Sequence, residues 1–268
     1  METLVPILKS EELQLLYLQQ GYVVLDFNDI QLLNKLKKIV FNYEEVFEDS
    51  FYYSLLNLNT EKSLKLKEDL QAALMDVYDR FFINCTSRNE SFLVKPAQFD
   101  QEMYLHQDWT FTDMQKYQMG TLWLPLQGVD QNNGCMAVLP SSQNLGNRYC
   151  SNTYQTARIP IDIFPNAKSL PLKIGQALFF NPLLFHGSFP NKHADDRIVV
   201  TAHIFEEGAK YCYFHKKNEH KAQVFQLVNT DLFGQMHKFL DAELRDFQLL
   251  EEINYSHQEV LVEQLKMI

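Results

Sequence analysis

Between Ser91 and Phe205 the sequence breaks into short apolar or alternating runs, each bounded by glycine, asparagine or proline. The runs are SFLVKPA, MYLHQDW, QMGTLWLPLQG, CMAVLP, GQALFFN and RIVVTAHIF. Short runs of this kind, with turn residues between them, are typical of β-strands joined by tight connections. Their succession predicts an antiparallel barrel or sandwich.

The segments on either side of this region have a helical pattern. Ser10 before two glutamates indicates a helix start, and Gly21 is a left-handed terminator before the apolar run YVVLDF. Two later segments, NDIQLLNKLKKIVFNYEEVF and EKSLKLKEDLQAALMDVYDRFF, repeat apolar residues three and four apart. We expect amphipathic helices that cover one face of a sheet. The charged tail from about Asn229 to Ile268 is also predicted to be helical.

The length and composition favour one domain. The chain has 268 residues, 46% of them hydrophobic, and its 9 glycines and 9 prolines leave no long flexible linker. We expect a helical leader with one or more edge strands over 1–90, a strand-rich core over 91–207, and a largely helical C-terminal extension over 208–268.

Charge and hydropathy exclude several classes of partner. A net charge of −10 argues against nucleic acid, which needs clustered lysine and arginine. The sequence begins without a signal-peptide pattern and contains no stretch of eighteen apolar residues, so we expect a soluble cytoplasmic protein without a membrane partner. The four cysteines form no C-x-x-C pair, which favours buried free thiols. The oligomeric state stays open.

The motif YLHQDWTF contains His106 and Asp108, two residues apart in a predicted strand. Side chains at this spacing emerge on the same face of a strand. An imidazole and a carboxylate that share a face suit a metal cation. A His-x-Asp motif alone is a weak signal, because such a pair is more often a simple hydrogen-bonded one.

The downstream segment FFNPLLFHGSFPNKHADDRIVVTAHIF provides a third ligand, His186, and then Arg197. Two histidines and one carboxylate form the facial triad of non-haem Fe(II) oxygenases, which leaves positions open for a cosubstrate and oxygen. A chelating keto acid would need a donor fork for its distal carboxylate, and arginine supplies one better than lysine does. Arg197 fits that role, although it could instead pair with Asp195 or Asp196 at the surface.

Taken in order, these features resemble the phytanoyl-CoA dioxygenase-like branch of the Fe(II)/2-oxoglutarate dioxygenases. The resemblance covers roughly Ser91 to Phe205. It rests on HQD at 106–108, TLWLPLQGVDQNNGCMAVLPSS at 121–142, HGS at 186–188, Asn191, and Arg197 eleven residues after His186.

The resemblance implies a mainly β fold, a cupin-like jelly roll or double-stranded β-helix with flanking N-terminal and C-terminal helices. It implies that His106, Asp108 and His186 bind Fe(II). Arg197 would bind the 2-oxoglutarate C5 carboxylate, Ser188 would assist, and Trp123 would lie near the cosubstrate.

The implied activity is a dioxygenase reaction with 2-oxoglutarate and O2 as cosubstrates. It would hydroxylate a small-molecule metabolite, or otherwise oxidise it at an unactivated C–H bond, as in biosynthesis, with release of succinate and CO2. Related halogenases replace the carboxylate ligand with glycine or alanine, so Asp108 favours hydroxylation over halogenation. Two alternatives remain open: a catalytically silent binding module, and an oxygenase acting on a protein side chain.

Several positions have plain structural interpretations. Lys95 and Arg148 could anchor an acidic substrate group, but we expect solvated charges. Tyr104, Trp109, Phe111 and Phe185 flank the proposed ligands and could line a substrate pocket, but ordinary core packing is the expectation for each. Four other histidines could compete as ligands but are expected to be ordinary: His193, His203, His215 and His220. Where the family has Gly-Ser-His, this chain has Ser141, Ser142 and Gln143, so relatives are a poorer guide to the substrate.

Overall fold

The computed structural model describes residues 5–43, 50–58, 60–145, 149–151, 166–227, 247–254, 260 and 262–266. Its helices are α1 Glu11–Gln20, α2 Ile30–Phe41, α3 Ser54–Asn57, α4 Thr60–Phe81 and α5 Val262–Lys266. Its strands are β1 Tyr22–Asp26, β2 Tyr52–Tyr53, β3 Cys85–Lys95, β4 Met103–His106, β5 Met119–Pro125, β6 Met136–Val138, β7 Lys168–Leu170, β8 Gln176–Phe180, β9 His186–Ser188, β10 Arg197–Glu206, β11 Cys212–Asn218, β12 Lys221–Gln226 and β13 Gln248–Asn254.

Two antiparallel sheets form the core. The larger has the strand order β1-β8-β5-β10-β3-β2, and the smaller has the order β4-β9-β6-β7. Their inner faces meet in one apolar cluster, in which Trp123, Leu178 and Val199 of the larger sheet pack with Met136 and Val138 of the smaller. This is the predicted jelly roll. Strands β1 and β2 of the leader lie at opposite edges of the larger sheet.

Strand β10 shows how the sequence positions a site between the sheets. All ten of its residues are buried. Its even-numbered residues, from Ile198 to Ile204, pack in a cluster with α2 and α4. Because side chains alternate along a strand, the odd-numbered residues from Arg197 to His203 face the interior of the jelly roll. The helices therefore cover the outer face, as predicted, and leave the inner face for chemistry.

The N-terminal helix has the predicted ends. The Ser10 hydroxyl accepts a hydrogen bond from the Leu13 N–H, and Gly21 has a left-handed backbone with φ of 85°. The Gly21 N–H donates to the Tyr17 carbonyl.

The C-terminal expectation was wrong for the described residues. Instead of a largely helical extension over 208–268, β11, β12 and β13 form a separate three-stranded antiparallel sheet, and α5 is five residues long. Residues 228–246, the centre of the predicted helical tail, lie outside the described residues.

No described helix is long and apolar enough to cross a bilayer. The four cysteines are free: Cys135, Cys150 and Cys212 are buried and Cys85 is half-buried.

Candidate metal centre

His106 and His186 meet across two paired strands. Strand β4 pairs with β9 so that the two residues are direct register partners, and their ring centroids lie 4.4 Å apart. Side chains of partner residues project from the same face of a sheet. The pairing of β4 with β9 thus brings together two histidines that are far apart in the sequence.

Both imidazoles carry the same local hydrogen bond. His106 Nδ1 lies 2.8 Å from the Tyr104 carbonyl oxygen, and His186 Nδ1 lies 2.8 Å from that of Leu184. A carbonyl only accepts, so Nδ1 of each ring carries the proton and Nε2 keeps its lone pair. This is the tautomer that a metal ligand requires.

Asp108 joins the histidines by a route that differs from the expected one. Strand β4 ends at His106, so strand alternation does not place Asp108. Its backbone N–H donates to the Pro182 carbonyl over 2.8 Å, which anchors it beside the turn before β9. Its Oδ1 lies 3.7 Å from His106 Nε2 and 3.5 Å from His186 Nε2.

The charges in this group support one another. Burial alone would raise the pKa of Asp108, but His186 and His106 hold it well below its usual range. Burial would likewise lower the pKa of His106, but the nearby Asp108 carboxylate raises it overall. One ligand atom from each of His106, Asp108 and His186 lies within 4.8 Å of the others, a spacing that can hold a metal ion.

The three side chains open onto a cavity of about 350 Å³. Ser188, Trp123 and Arg197 also line it, so the structure brings all six residues singled out in the sequence to one place. The remaining lining is mostly apolar or aromatic, and it includes Phe51, Tyr53, Leu56, Leu93, Met103, Trp109, Phe111, Met136 and Phe180.

Arg197 is a buried cation without an acidic partner in the described part of the chain. Only 2% of its surface is exposed, and burial lowers its pKa to about 10. Nη1 donates to the Gly134 carbonyl over 3.1 Å, whereas Nε has no hydrogen-bond partner among the described residues. Its guanidinium lies 5.4 Å from the Trp123 ring centroid. A buried guanidinium with a free N–H is suited to a carboxylate ligand.

The surface alternative for Arg197 is wrong. Asp196 turns away from it, and its Oδ1 accepts from the Ala97 N–H.

The expectation of a solvated charge at Lys95 was wrong, because the side chain is 1% exposed. Its Nζ donates to Ser188 Oγ over 2.8 Å and to the Phe189 carbonyl over 2.6 Å. Burial, and then the charge of Arg197, lower the pKa of Lys95 to about 7. Lys95 therefore fixes the Ser188 hydroxyl that lines the cavity.

The four aromatic residues that flank the proposed ligands lie in three different places. Trp109 and Phe111 line the cavity, Phe185 is fully buried in a separate apolar cluster, and Tyr104 is 56% exposed. The expectation of core packing is therefore wrong for Tyr104. Arg148 lies outside the described residues.

The loop that departs from the family pattern faces the N-terminal helix. Gln143 Nε2 donates to the carbonyls of Leu18 and Gln19. Ser142 Oγ accepts from the Phe185 N–H over 2.8 Å, just before the ligand His186. Gln143 therefore helps to dock α1 and does not line the cavity.

Comparison with known protein families shows which family this chain belongs to. The model of the family described as phytanoyl-CoA dioxygenase (PhyH) matches residues 29–199. The chain belongs to the phytanoyl-CoA dioxygenase family. The match includes His106, Asp108 and His186, and it ends within β10, two residues after Arg197.

Two curated members of the phytanoyl-CoA dioxygenase family match part of the chain. Peroxisomal phytanoyl-CoA dioxygenase of Bos taurus is 25% identical over 134 residues, which are 46% of this chain and 38% of that protein. The Homo sapiens protein is 25% identical over 129 residues, 45% of this chain and 36% of that protein. The match thus spans well under half the length of these relatives.

Solved structures confirm the fold of this phytanoyl-CoA dioxygenase family member. The epimerase SnoN, in complex with Fe3+, alpha ketoglutarate and nogalamycin RO, has a TM-score of 0.53 at 17% identity, covering 75% of this chain and 85% of that one. HygX from Streptomyces hygroscopicus, with nickel and 2-oxoglutarate bound, has a TM-score of 0.50 at 14% identity, covering 74% and 87%. At these identities the likeness shows the fold.

Proposed function

We propose that this chain is an Fe(II)- and 2-oxoglutarate-dependent dioxygenase. It would hydroxylate a small molecule, or otherwise oxidise it at an unactivated C–H bond, with release of succinate and CO2. The observation that carries this proposal is the convergence of two Nε2 atoms and one carboxylate oxygen on a cavity that also contains the buried Arg197.

The donor set fits a ferrous ion. Two neutral imidazoles and one carboxylate on one side of an ion leave its other positions open. The bound ion and 2-oxoglutarate would supply the oxidising power. The contribution of the chain is to fix both Nε2 lone pairs, to keep Asp108 ionised, and to shield the site with aromatic side chains.

The opposite wall fits a dicarboxylate. Arg197 offers a guanidinium N–H that is otherwise unsatisfied, and Ser188 offers a hydroxyl held by Lys95. Trp123 packs against the guanidinium and restricts its position. Arg197 and Ser188 would bind the distal carboxylate of 2-oxoglutarate, and Trp123 would keep the guanidinium in position.

Asp108 favours hydroxylation over halogenation. A halide ligand needs the position that the carboxylate would occupy, and Oδ1 of Asp108 already lies between the two imidazoles. The volume and apolar lining of the cavity favour a small-molecule substrate over a protein side chain.

The test is succinate release from 2-oxoglutarate in the presence of Fe(II) and O2. Uncoupled turnover of the wild type is expected even without a substrate, and His106→Ala and Asp108→Ala should abolish it. His215→Phe alters a half-buried histidine on β11 and serves as the control. A folded wild type that releases no succinate would favour the silent binding module instead. If peptides but no metabolites stimulated release, a protein side chain would be the better substrate.

A further inference from the structure

The cavity has a second polar end on β10. Arg197 and His203 both line it, and they are six positions apart along the strand. At a rise of about 3.3 Å per residue, their Cα atoms lie roughly 20 Å apart. His203 therefore contacts a different part of the cavity from the proposed carboxylate site.

His203 is held in one orientation by neighbouring side chains. Its ring is 8% exposed, and its Nδ1 lies 2.9 Å from Asn89 Nδ2. The Tyr211 hydroxyl contacts both ends of this amide, as an acceptor 3.0 Å from Asn89 Nδ2 and as a donor 3.1 Å from Asn89 Oδ1. Because the amide nitrogen donates, Nδ1 accepts and the ring proton resides on Nε2. Burial lowers the pKa of His203 to about 4, so the ring is neutral near pH 7.

A β-bulge places Asn89 against His203. The pairing of β3 with β10 shifts between Thr201 and His203, so that Asn89 and Glu90 together stand opposite Ala202. Glu90 turns outward to Tyr78, and Asn89 turns inward with a positive φ of 60°. Asparagine tolerates this conformation better than most residues, and bulges commonly re-aim a side chain beside a functional site.

Nε2 of His203 makes no hydrogen bond with the described part of the chain. Thr121, the register partner of His203 on β5, also lines the cavity, and its hydroxyl has no partner among the described residues. Two adjacent strands thus offer two unsatisfied polar groups side by side. The Thr121 hydroxyl is buried, and a buried polar group costs free energy unless a partner satisfies it.

The surroundings define the ligand. The Phe111 ring centroid lies 5.3 Å from that of His203, and Trp109 lies 6.3 Å from Phe111. Among the described residues that line the cavity, Arg197 is the one lysine or arginine, and it lies at the other end. An acidic ligand group near His203 would lose its hydration without gaining a cation.

We propose that His203 Nε2–H, with the Thr121 hydroxyl beside it, binds a carbonyl or hydroxyl oxygen of an uncharged substrate with an apolar, ring-sized body. This proposal specifies the ligand class of the proposed oxygenase. It rests on that function, because the bound molecule is a substrate only if the chain is an oxygenase. His203 is thereby a specificity-determining residue, and Asn89 is a positioning residue that sets its tautomer.

The tautomer is the first test. Histidine nitrogen NMR of the Zn(II)- and 2-oxoglutarate-loaded protein should show Nε2 of His203 protonated, with the signal assigned by its loss in His203→Phe. Asn89→Asp keeps the side-chain size but removes the donor, so at pH 8 the proton should move to Nδ1. A wild-type ring protonated on Nδ1 would overturn the proposal.

Ligand class is the second test, with acetophenone, its near-isostere cumene, and benzoate as probes. NMR titration is followed at the Trp109 indole N–H, which lines the same cavity, in every variant, and also at the His203 ring where that ring is present. It should show acetophenone binding about tenfold more tightly than cumene, the effect of one hydrogen bond of about 1.4 kcal/mol. His203→Phe and Asn89→Asp should remove this preference, and His215→Phe should keep it. Equal affinity for acetophenone and cumene, absence of binding at His203, or tightest binding of benzoate would each contradict the proposal.

Neither readout requires turnover. A protein that releases no succinate can still show the tautomer and the ketone preference, and an active oxygenase can fail both tests. Failure of the ligand proposal and failure of the oxygenase proposal are therefore distinguishable.

Discussion

At the scale of single residues, the candidate centre depends on hydrogen bonds between residues that are close in sequence. Each histidine donates from Nδ1 to the carbonyl two residues before it. This bond needs only the local backbone, so the ligand tautomer is set before any ion binds. Asp108 then needs a tertiary contact, from its N–H to the Pro182 carbonyl, to complete the set.

Arg197→Lys should weaken 2-oxoglutarate binding by about tenfold to a hundredfold, because lysine lacks the planar donor fork. The half-saturating 2-oxoglutarate concentration for succinate release measures this effect. Arg80→Lys, on α4 and outside the cavity lining, is the matched control. Unchanged saturation in Arg197→Lys would remove Arg197 from the carboxylate site.

Lys95 should make stability depend on pH. Its pKa falls from 10.5 to about 7 in the folded chain, through burial and the charge of Arg197, with opposing effects from Glu102 and Cys135. Between these values the unfolded chain binds more protons, so the stability of the wild type rises with pH above about 7.

Urea unfolding of metal-free wild type and Lys95→Met from pH 7 to 9 tests this expectation. The difference in unfolding free energy should grow in favour of the wild type by up to about 1.4 kcal/mol per pH unit. A difference that stays constant with pH would show that Lys95 is charged throughout.

The sequence predicted the three proposed ligands and Arg197 because their order and spacing are legible in the motifs. It did not predict that Lys95 and His203 are buried, because burial of a polar residue depends on which sheet face it occupies. One signal was available for His203. It has the same parity along β10 as Arg197, and residues of equal parity share a face.

At the scale of elements, Gly120 on β5 leaves room for the ring of Phe179 on the neighbouring strand β8. A Cβ at this position would lie 2.2 Å from Cζ of Phe179, whose ring also stacks on Tyr17 at 5.0 Å. The missing side chain thus makes room for an aromatic ring in the core beneath the helices.

Gly120→Ala should lower the free energy of unfolding by about 1 to 3 kcal/mol through overpacking. Gly128→Ala is the control, because the nearest atom to its added Cβ is 3.6 Å away and its φ is ordinary. Chemical denaturation of both variants makes the comparison. Equal stability of Gly120→Ala and the wild type would show that Phe179 can move aside.

The sequence did not predict strand β13, because the spacing of its apolar residues is also typical of a helix. In QLLEEIN, the apolar residues Leu249, Leu250 and Ile253 are spaced one and three apart, as on a helix face. Pairing with β12 overrides this pattern, and Leu250 and Ile253 then pack on the cluster that contains Phe214 and Val224. Such long-range pairing is not encoded in local periodicity.

At the scale of the whole molecule, the jelly roll places chemistry between two sheets while the helices cover the outside. The expected single domain over 1–268 stays a prediction. It implies one cooperative unfolding transition, seen at the same denaturant concentration by far-UV circular dichroism and by tryptophan fluorescence. Two separated transitions would instead divide the chain, with the three-stranded sheet as the first candidate for independent unfolding.

The most direct test of the account is an anaerobic titration of the protein with Fe(II) and 2-oxoglutarate, followed by visible absorption. We expect the weak charge-transfer band of a keto acid chelated to facial-triad iron. The band should be lost in Asp108→Ala and His186→Ala and retained in His215→Phe. Absence of the band from folded, iron-loaded wild type would contradict the assignment of these side chains as a metal and cosubstrate site.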